Sequence, residues 1–199
     1  MGSIARGILL ALTVGLMAAC NQAGAAGVTA DDMSMGDPKA KVTMIEYASL
    51  TCPHCASFHN ETLPELKKKY IDTGKVRLIF RDFPLDQMAL QASILAHCAG
   101  QERGPLFLSA FFQNQDRWAV ADDPAAALRQ LAKLGGLSDE RIDACLADQE
   151  LGDSILKMRL DGEQQHSIQS TPSFLINDQL HAGNLGAEGF SEILDPLVN

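Results

Sequence analysis

The chain has 199 residues, of which 46% are hydrophobic, and a formal net charge of −9 at pH 7. This length suits one compact domain, or one domain with a sizeable insertion, and the apolar fraction is that of a globular protein with a core. The charge argues against nucleic acid as a partner, because phosphate binding needs a concentrated basic surface. The one dense basic cluster, Lys67 to Lys69, falls at the predicted end of a helix and is interpreted as a solvated helix face.

Residues 1–19 have the pattern of an export signal. Arg6 precedes an apolar run from Ile8 to Ala19 that is too short to span a bilayer. Two cleavage patterns overlap at its end: Leu16 to Cys20 resembles a bacterial lipobox, in which Cys20 is lipidated, whereas the small residues that follow suit ordinary signal peptidase. We favour the lipoprotein signal, with lipid on Cys20.

The next segments predict a tether and then the start of an α/β domain. Residues 20–36 are rich in Ala, Gly, Met and Asp without periodicity, which is typical of a flexible tether. Val42 to Ala48 is apolar on both faces, as expected for an inner strand covered by helices on each side, and only Glu46 interrupts it. A helix follows, and Val76 to Phe83 predicts a second strand.

The middle of the chain is predicted to be helical and its end to be a hairpin and a helix. Residues 85–167 show helical segments separated by breakers such as Gly135-Gly136 and no convincing strand, which predicts an inserted helical domain. Ser173 to Ile176 and Gln179 to Ala182 then read as strands that flank a two-residue turn, Asn177-Asp178. A helix with one apolar face closes the chain.

The most informative motif is Cys52-Pro53-His54-Cys55, at the predicted junction of strand and helix. Two cysteines at this spacing can close a small disulfide ring that passes oxidising equivalents to other proteins. Cys52 would lie at the helix N-terminus, where unpaired N–H groups and the helix dipole stabilise a thiolate, and His54 adds a donor or a positive charge. A stabilised thiolate makes the disulfide a stronger oxidant. Cys55, one turn later, is expected to be the less exposed, resolving thiol.

Zinc is the alternative use of this cysteine pair. It would need two more ligands, and the histidines at His59, His97 and His166 show no recognisable metal spacing. We expect no metal at the pair, and these histidines, with His181, are interpreted as surface or packing residues.

The other cysteines predict one lipid and one structural disulfide. Five cysteines in an exported protein leave one unpaired unless Cys20 carries lipid. Cys98 and Cys145 fall in predicted helices, and a bridge between them would contribute about 3 to 4 kcal/mol through the entropy of the unfolded chain. Two buried free thiols are the alternative, which an oxidising compartment disfavours.

The order of these features resembles the thioredoxin fold and, within it, the DsbA family of bacterial thiol oxidases. The resemblance covers roughly Gly36 to Asn199. The tetrapeptide Cys52 to Cys55 matches the family's active-site sequence, Thr171-Pro172 resembles its cis-proline loop, and Glu46 matches its buried acidic position. The resemblance implies an α/β, thioredoxin-like fold with an inserted α-helical domain.

The resemblance also assigns segments. It implies that residues 37–84 and 168–199 form the thioredoxin-like domain around the insertion 85–167. Thr171 and a cis Pro172 would lie opposite Cys52 and bind the extended chain of a substrate. The resemblance also implies a strongly lowered pKa for Cys52, because such a cysteine pKa is a known property of this family.

Glu46 has two interpretations. As a functional group it would relay a proton to or from Cys55. Because a buried carboxylate either raises its pKa or finds a cation, the alternative is a structural ion pair with Arg81 or Lys68.

The predicted function is that of an exported, monomeric thiol oxidase, anchored by lipid in the periplasm, that introduces disulfides into newly translocated proteins. It would need no cofactor, and the resemblance implies a membrane quinone-linked thiol oxidase as its reoxidant. One alternative is a disulfide isomerase or reductase of the same fold, and another is an oxidase for a single client. A third, of a different class, is a non-catalytic copper-binding lipoprotein that uses Cys52, Cys55 and nearby Met or His.

Overall fold

The structure is a computed structural model that describes residue 2 and residues 32–199. The predicted export signal, the predicted lipid site at Cys20 and most of the predicted tether lie outside the described residues. Within the described part, none of the helices combines the length and the apolar character needed to cross a membrane.

Five strands of the described residues form one mixed sheet in the order β1-β3-β2-β4-β5. Neighbours pair antiparallel except β2 and β3, which are parallel. β2 lies at the centre of this sheet, which explains why its sequence is apolar on both faces. The strands are β1 (Met33–Met35), β2 (Val42–Ala48), β3 (Val76–Asp82), β4 (Ser173–Ile176) and β5 (Gln179–Ala182).

A first helix, α1, connects β2 to β3 and changes its winding along its length. It is α-helical at Pro53–Ser57 and Leu63–Leu66, and π-helical at Phe58–Thr62 and Lys67–Ile71. The remaining helices are α2 (Gln87–Cys98), α3 (Gly104–Gln113), α4 (Gln115–Trp118), α5 (Pro124–Leu134), α6 (Asp139–Leu146), α7 (Gln149–His166) and α8 (Gly186–Val198).

Several local predictions are confirmed. Asn177 and Asp178 have φ values of 46° and 66°, as a two-residue turn between β4 and β5 requires. Helices α2 to α7 occupy the stretch that the sequence predicts to be helical. Lys67 and Lys69 lie at the end of α1, where they form exposed ion pairs with Asp72 and Asp195.

The predicted tether extends too far. Residues 33–35, at its end, form the edge strand β1 rather than flexible chain. Met33 pairs with Phe80 of β3 and is only 3% exposed, so burial of its side chain and the free edge of β3 both favour the strand. Asp32 adds an ion pair, because its carboxylate accepts from Nη2 of Arg81 at 3.1 Å.

Two apolar clusters hold the sheet between helices. Phe58 of α1, Phe174 of β4 and Phe190 of α8 pack together, with ring centroids 4.7 Å apart for Phe58 and Phe174 and 4.8 Å for Phe174 and Phe190. A second cluster joins Cys52 and Cys55 to the apolar side chains of α3 and α4. The helical insertion therefore packs directly against the cysteine motif.

The insertion is fastened at two points. Cys98 of α2 and Cys145 of α6 are joined by a disulfide with a Cα–Cα distance of 6.1 Å. One residue earlier in α2, Nε2 of His97 lies 2.6 Å from a carboxylate oxygen of Asp82, at the end of β3. These contacts link the insertion within itself and to the central sheet.

Candidate active site

Cys52 and Cys55 lie in the same turn and are both largely buried, but only Cys52 keeps some exposed surface. Cys52 is the residue before α1, with extended backbone angles of φ −81° and ψ 120°, and Pro53 is the first residue of the helix. Cys52 is 7% exposed and Cys55 is fully buried, at 0%. Only one of the two sulfurs is therefore open to attack by an external thiol.

Hydrogen bonds at the start of α1 stabilise a thiolate on Cys52. They lower its pKa from 9.0 to about 5, chiefly through the bond with the Cys55 thiol. Burial opposes this effect, while Thr171 and the backbone N–H groups of Cys55 and His54 add to it. The N–H groups are those left unpaired at a helix N-terminus.

Cys55 has the opposite tendency. Its pKa is raised well above the ordinary range, first by burial, then by its hydrogen bond to Cys52 and by the negative charge of Glu46. In the reduced protein the pair therefore holds one thiolate, on Cys52, and one thiol, on Cys55.

The Cys52 thiol should titrate near pH 5 in the reduced protein. Because its folded-state pKa lies below the unfolded value of 9.0, the Cys52 thiolate stabilises the reduced fold against unfolding; this contribution is complete above pH 9 and is lost as the pH falls through 5. The ultraviolet absorbance of the thiolate measures the titration, with Cys52→Ser as the blank. A midpoint near the ordinary cysteine value would contradict this assignment.

The loop before β4 brings Thr171 and Pro172 opposite Cys52. The Thr171–Pro172 peptide bond is cis. The sulfur of Cys52 lies 3.3 Å from the carbonyl oxygen of Thr171, so that its S–H can donate to this oxygen. The structure thus places Thr171 in contact with the Cys52 sulfur.

Pro53 and His54 lie on the open side of the motif. Both are exposed. Pro53 borders two shallow grooves, one lined by Met88 and Val120 of the insertion and the other by Asn60 and Phe112. An extended chain that reached Cys52 would have surface to contact on both sides of Pro53.

Glu46 has a partner that the sequence did not suggest. Its Oε2 lies 2.8 Å from Nε2 of His59, and both side chains are buried. Of the two cations considered for the alternative, structural ion pair, Arg81 binds Asp32, and no bond from Glu46 to Lys68 is seen among the described residues. His59 is thus more than the packing residue predicted.

The burial of His59 depends on the insertion. Its ring stacks on Phe112 of α3, with centroids 4.0 Å apart. His59 follows Cys55 by four residues in the same helix, so its spacing was the one signal in the sequence that could have placed it at the site. The partner strand and the stacking ring come from distant parts of the chain.

Gln115 of α4 is a second residue that sequence reasoning missed. Its side-chain Nε2 is buried and donates to the carbonyl oxygens of Leu50, at 2.8 Å, and Cys52, at 3.0 Å. These carbonyls belong to the loop that carries the sulfur of Cys52. One amide from the insertion therefore fixes the backbone at the active cysteine.

Replacing Gln115 by Met should destabilise the protein. Methionine has a similar volume but no donor, so the buried carbonyl of Leu50 loses this partner, whereas that of Cys52 keeps the backbone N–H groups of Cys55 and Ala56. We expect a cost of about 1 to 3 kcal/mol in the free energy of unfolding. Urea denaturation of the oxidised protein measures this loss, and the exposed neighbour Gln113→Met is the matched control. Equal midpoints for the two variants would contradict the structural importance of the Gln115 side chain.

Within residues 32–199, no three His, Cys, Asp or Glu side chains converge as a metal ion would require.

Comparison with known proteins places this geometry in a family. The family model described as Thioredoxin matches residues 28–196. A Rickettsia bellii protein that carries the name protein-disulfide oxidoreductase is 33% identical over 169 residues. That match covers 84% of this chain and 65% of the Rickettsia protein, so the chain spans just under two thirds of this relative's length.

Solved structures agree. Wolbachia pipientis alpha-DsbA1 superposes with a TM-score of 0.80 at 36% identity, covering 86% of this chain and 92% of that one. A protein-disulfide isomerase from Novosphingobium aromaticivorans, at 23% identity and a TM-score of 0.74, covers 85% of this chain and 98% of its own and shares the fold. The predicted thioredoxin-like fold with a helical insertion is confirmed. The chain belongs to the DsbA family of thioredoxin-fold disulfide oxidoreductases.

Proposed function

We propose that this protein is a thiol oxidase that donates the Cys52–Cys55 disulfide to other proteins. The observation that carries the proposal is the position of Cys52 at the N-terminus of α1 beside the fully buried Cys55, which lowers the pKa of Cys52 to about 5 and raises that of Cys55. Stabilising the Cys52 thiolate stabilises the reduced enzyme, and a disulfide with a stable reduced form is a strong oxidant.

The reaction proceeds through a mixed disulfide. A substrate thiolate attacks the sulfur of Cys52, the Cys52–Cys55 bond breaks, and Cys55 leaves with the bonding electrons and takes up a proton. A second substrate thiolate then attacks the substrate sulfur of the mixed disulfide and releases the Cys52 thiolate. The substrate loses two electrons and the enzyme gains them, so no bound cofactor is needed.

Other groups of the site have proposed tasks in this reaction. Thr171 and Pro172 would align the substrate backbone beside Cys52, as in the addition of a strand to an exposed edge. Pro53 and His54 would form the surface that the substrate first meets. Glu46 would relay the proton of Cys55, since its charge acts on that thiol.

The cellular setting is also proposed. The segment 1–19 would export the protein, and lipid on Cys20 would anchor it in the periplasm as a monomer. Its substrates would be newly translocated proteins. A membrane quinone-linked thiol oxidase would restore the disulfide after each cycle.

Two substrates separate the oxidase from an isomerase of the same fold. The oxidised protein is mixed either with a reduced, unfolded protein that needs disulfides or with the same protein carrying scrambled ones. We expect fast loss of thiols from the reduced substrate and little rescue of the scrambled one. Efficient rescue with slow oxidation would instead assign the isomerase, and a Cys52→Ser/Cys55→Ser variant sets the background for both.

A further inference from the structure

The Glu46–His59 pair is enclosed in an apolar part of the molecule. Glu46 lies on the central strand β2 and is 0% exposed, and His59 is covered by the ring of Phe112. Oε2 of Glu46 is bound to His59, while Oε1 has no hydrogen-bond partner among the described residues. A buried carboxylate oxygen without a hydrogen-bond partner destabilises the folded state, so the presence of this pair needs an explanation.

The pair borders a small cavity whose other lining side chains are mostly apolar. The cavity measures about 10 Å³, close to the volume that one water molecule needs. Three of its apolar lining residues, Met33, Phe80 and Leu108, belong to the same packed cluster as Cys55. The side chains around the pair therefore pack in the same apolar cluster as Cys55, which precedes His59 by four residues in α1.

Besides the pair, the side chains that line this cavity carry no titratable group. Strands β1 and β3 and helix α3 contribute only Met, Ser, Leu, Phe and Pro side chains to the lining, none of which titrates. The polar lining residue besides the pair is Ser34, whose Oγ accepts from Arg77 at 3.1 Å. The charge of Glu46 acts on Cys55 of α1, whereas Cys52 lies just before that helix.

We propose that Glu46 and His59 act as one proton-holding unit, in which His59 positions Glu46 and shares the proton that Cys55 takes up and gives back. This inference deepens the proposed function and rests on it for its biological meaning. With one proton the pair has no net charge, and without it the pair carries one negative charge. A carboxylate alone would face the newly formed Cys55 thiolate as a second uncompensated charge.

The proton step balances as follows. When an external thiolate attacks Cys52, the sulfur of Cys55 leaves as a thiolate with both electrons of the broken bond. The proton shared by Glu46 and His59 passes to this sulfur, leaving Glu46 ionised and His59 neutral. The pair then regains a proton from solvent. An external disulfide that reoxidises the protein drives the same steps in reverse and restores the Cys52–Cys55 bond.

The test follows the reduction of the protein's own disulfide by dithiothreitol, which breaks the same bond whatever the physiological direction. Rates are measured between about pH 5 and pH 8 and are divided by the thiolate fraction of dithiothreitol. Glutamine at position 59 keeps a hydrogen bond but cannot carry the proton, so we expect His59→Gln to be reduced about tenfold more slowly than the wild type. This effect is smaller than the usual contribution of general acid catalysis, because water still delivers protons. The corrected rate of His59→Gln should also lose the pH dependence of the wild type.

His97→Gln is the matched control. His97 also pairs with a buried carboxylate, that of Asp82, but it does not line the cavity. We expect this variant to keep the wild-type pH profile. A wild-type profile in His59→Gln, or the same loss in His97→Gln, would overturn the proposal.

A double-mutant cycle keeps the test valid if His59→Gln alone fails to fold. Glu46→Gln is compared with Glu46→Gln/His59→Gln, in which two neutral amides can bond to each other. If the residues act as one unit, the second change adds no further loss of rate. A further tenfold loss would show independent effects and overturn the proposal. If the protein failed to oxidise a reduced substrate but His59→Gln still lost the pH dependence of the wild type, the proposed oxidase function would be wrong and the proton-holding unit would stand.

Discussion

Cys52→Ser is expected to reduce dithiol oxidation to the uncatalysed rate, whereas Cys55→Ser should trap the substrate. The serine at 55 keeps a hydroxyl donor near the Cys52 sulfur but cannot displace the substrate from a mixed disulfide. Cys52 carries the reactive thiolate and Cys55 is fully buried. The first variant should therefore be inactive, and the second should accumulate a mixed disulfide with the substrate. Non-reducing electrophoresis after mixing with a disulfide-bonded peptide shows the trapped complex.

The double variant Cys52→Ser/Cys55→Ser is the control for this trapping experiment. It should form no complex, because the two other cysteines in the described part of the chain, Cys98 and Cys145, are joined to each other in a disulfide. Equal trapping by Cys52→Ser and Cys55→Ser would contradict the assignment of Cys52 as the attacked sulfur.

Loss of the Cys98–Cys145 disulfide should be the largest stability effect of any single change considered. The bridge spans 47 residues of sequence, which corresponds to about 4 kcal/mol in the chain-entropy model. Both cysteines are buried beside Ile94 and Ile155, so native packing holds the helices in place while the unfolded chain gains freedom. Urea unfolding of Cys98→Ala/Cys145→Ala against the wild type measures the loss.

A second comparison removes the effect of changing buried side chains. In the Cys52→Ser/Cys55→Ser background, the same protein is unfolded with and without reductant, so the disulfide is the variable and Cys98 and Cys145 remain. A drop of similar size in both experiments is expected. An unchanged midpoint after reduction would show that the bridge does not stabilise the fold.

Local patterns made much of the fold predictable. Val42 to Ala48 had to be an inner strand because it is apolar on both faces, and Asn177-Asp178 between two short apolar runs indicated a tight hairpin. The active-site helix followed from a cysteine pair directly after a strand. In each case the deciding signal lies within about ten residues of sequence, which is the range over which periodicity and turn chemistry act.

Contacts between distant segments could not be predicted in the same way. β1 has three residues, too few to show alternation, and it forms because β3 offers a free edge. His59 meets Glu46 and Phe112, and Gln115 meets the carbonyl of Cys52, only after the insertion has packed on the sheet. The sequence shows the reacting cysteines, whereas the residues that support them appear only in the structure.

The redox potential of the Cys52–Cys55 pair tests the central claim most directly. The protein is equilibrated with glutathione buffers of known ratio, and its reduced fraction is measured after acid quenching. A lowered pKa at Cys52 predicts a potential well above that of thioredoxin, about −270 mV. A potential as reducing as that of thioredoxin would contradict the proposal that this disulfide is donated to other proteins.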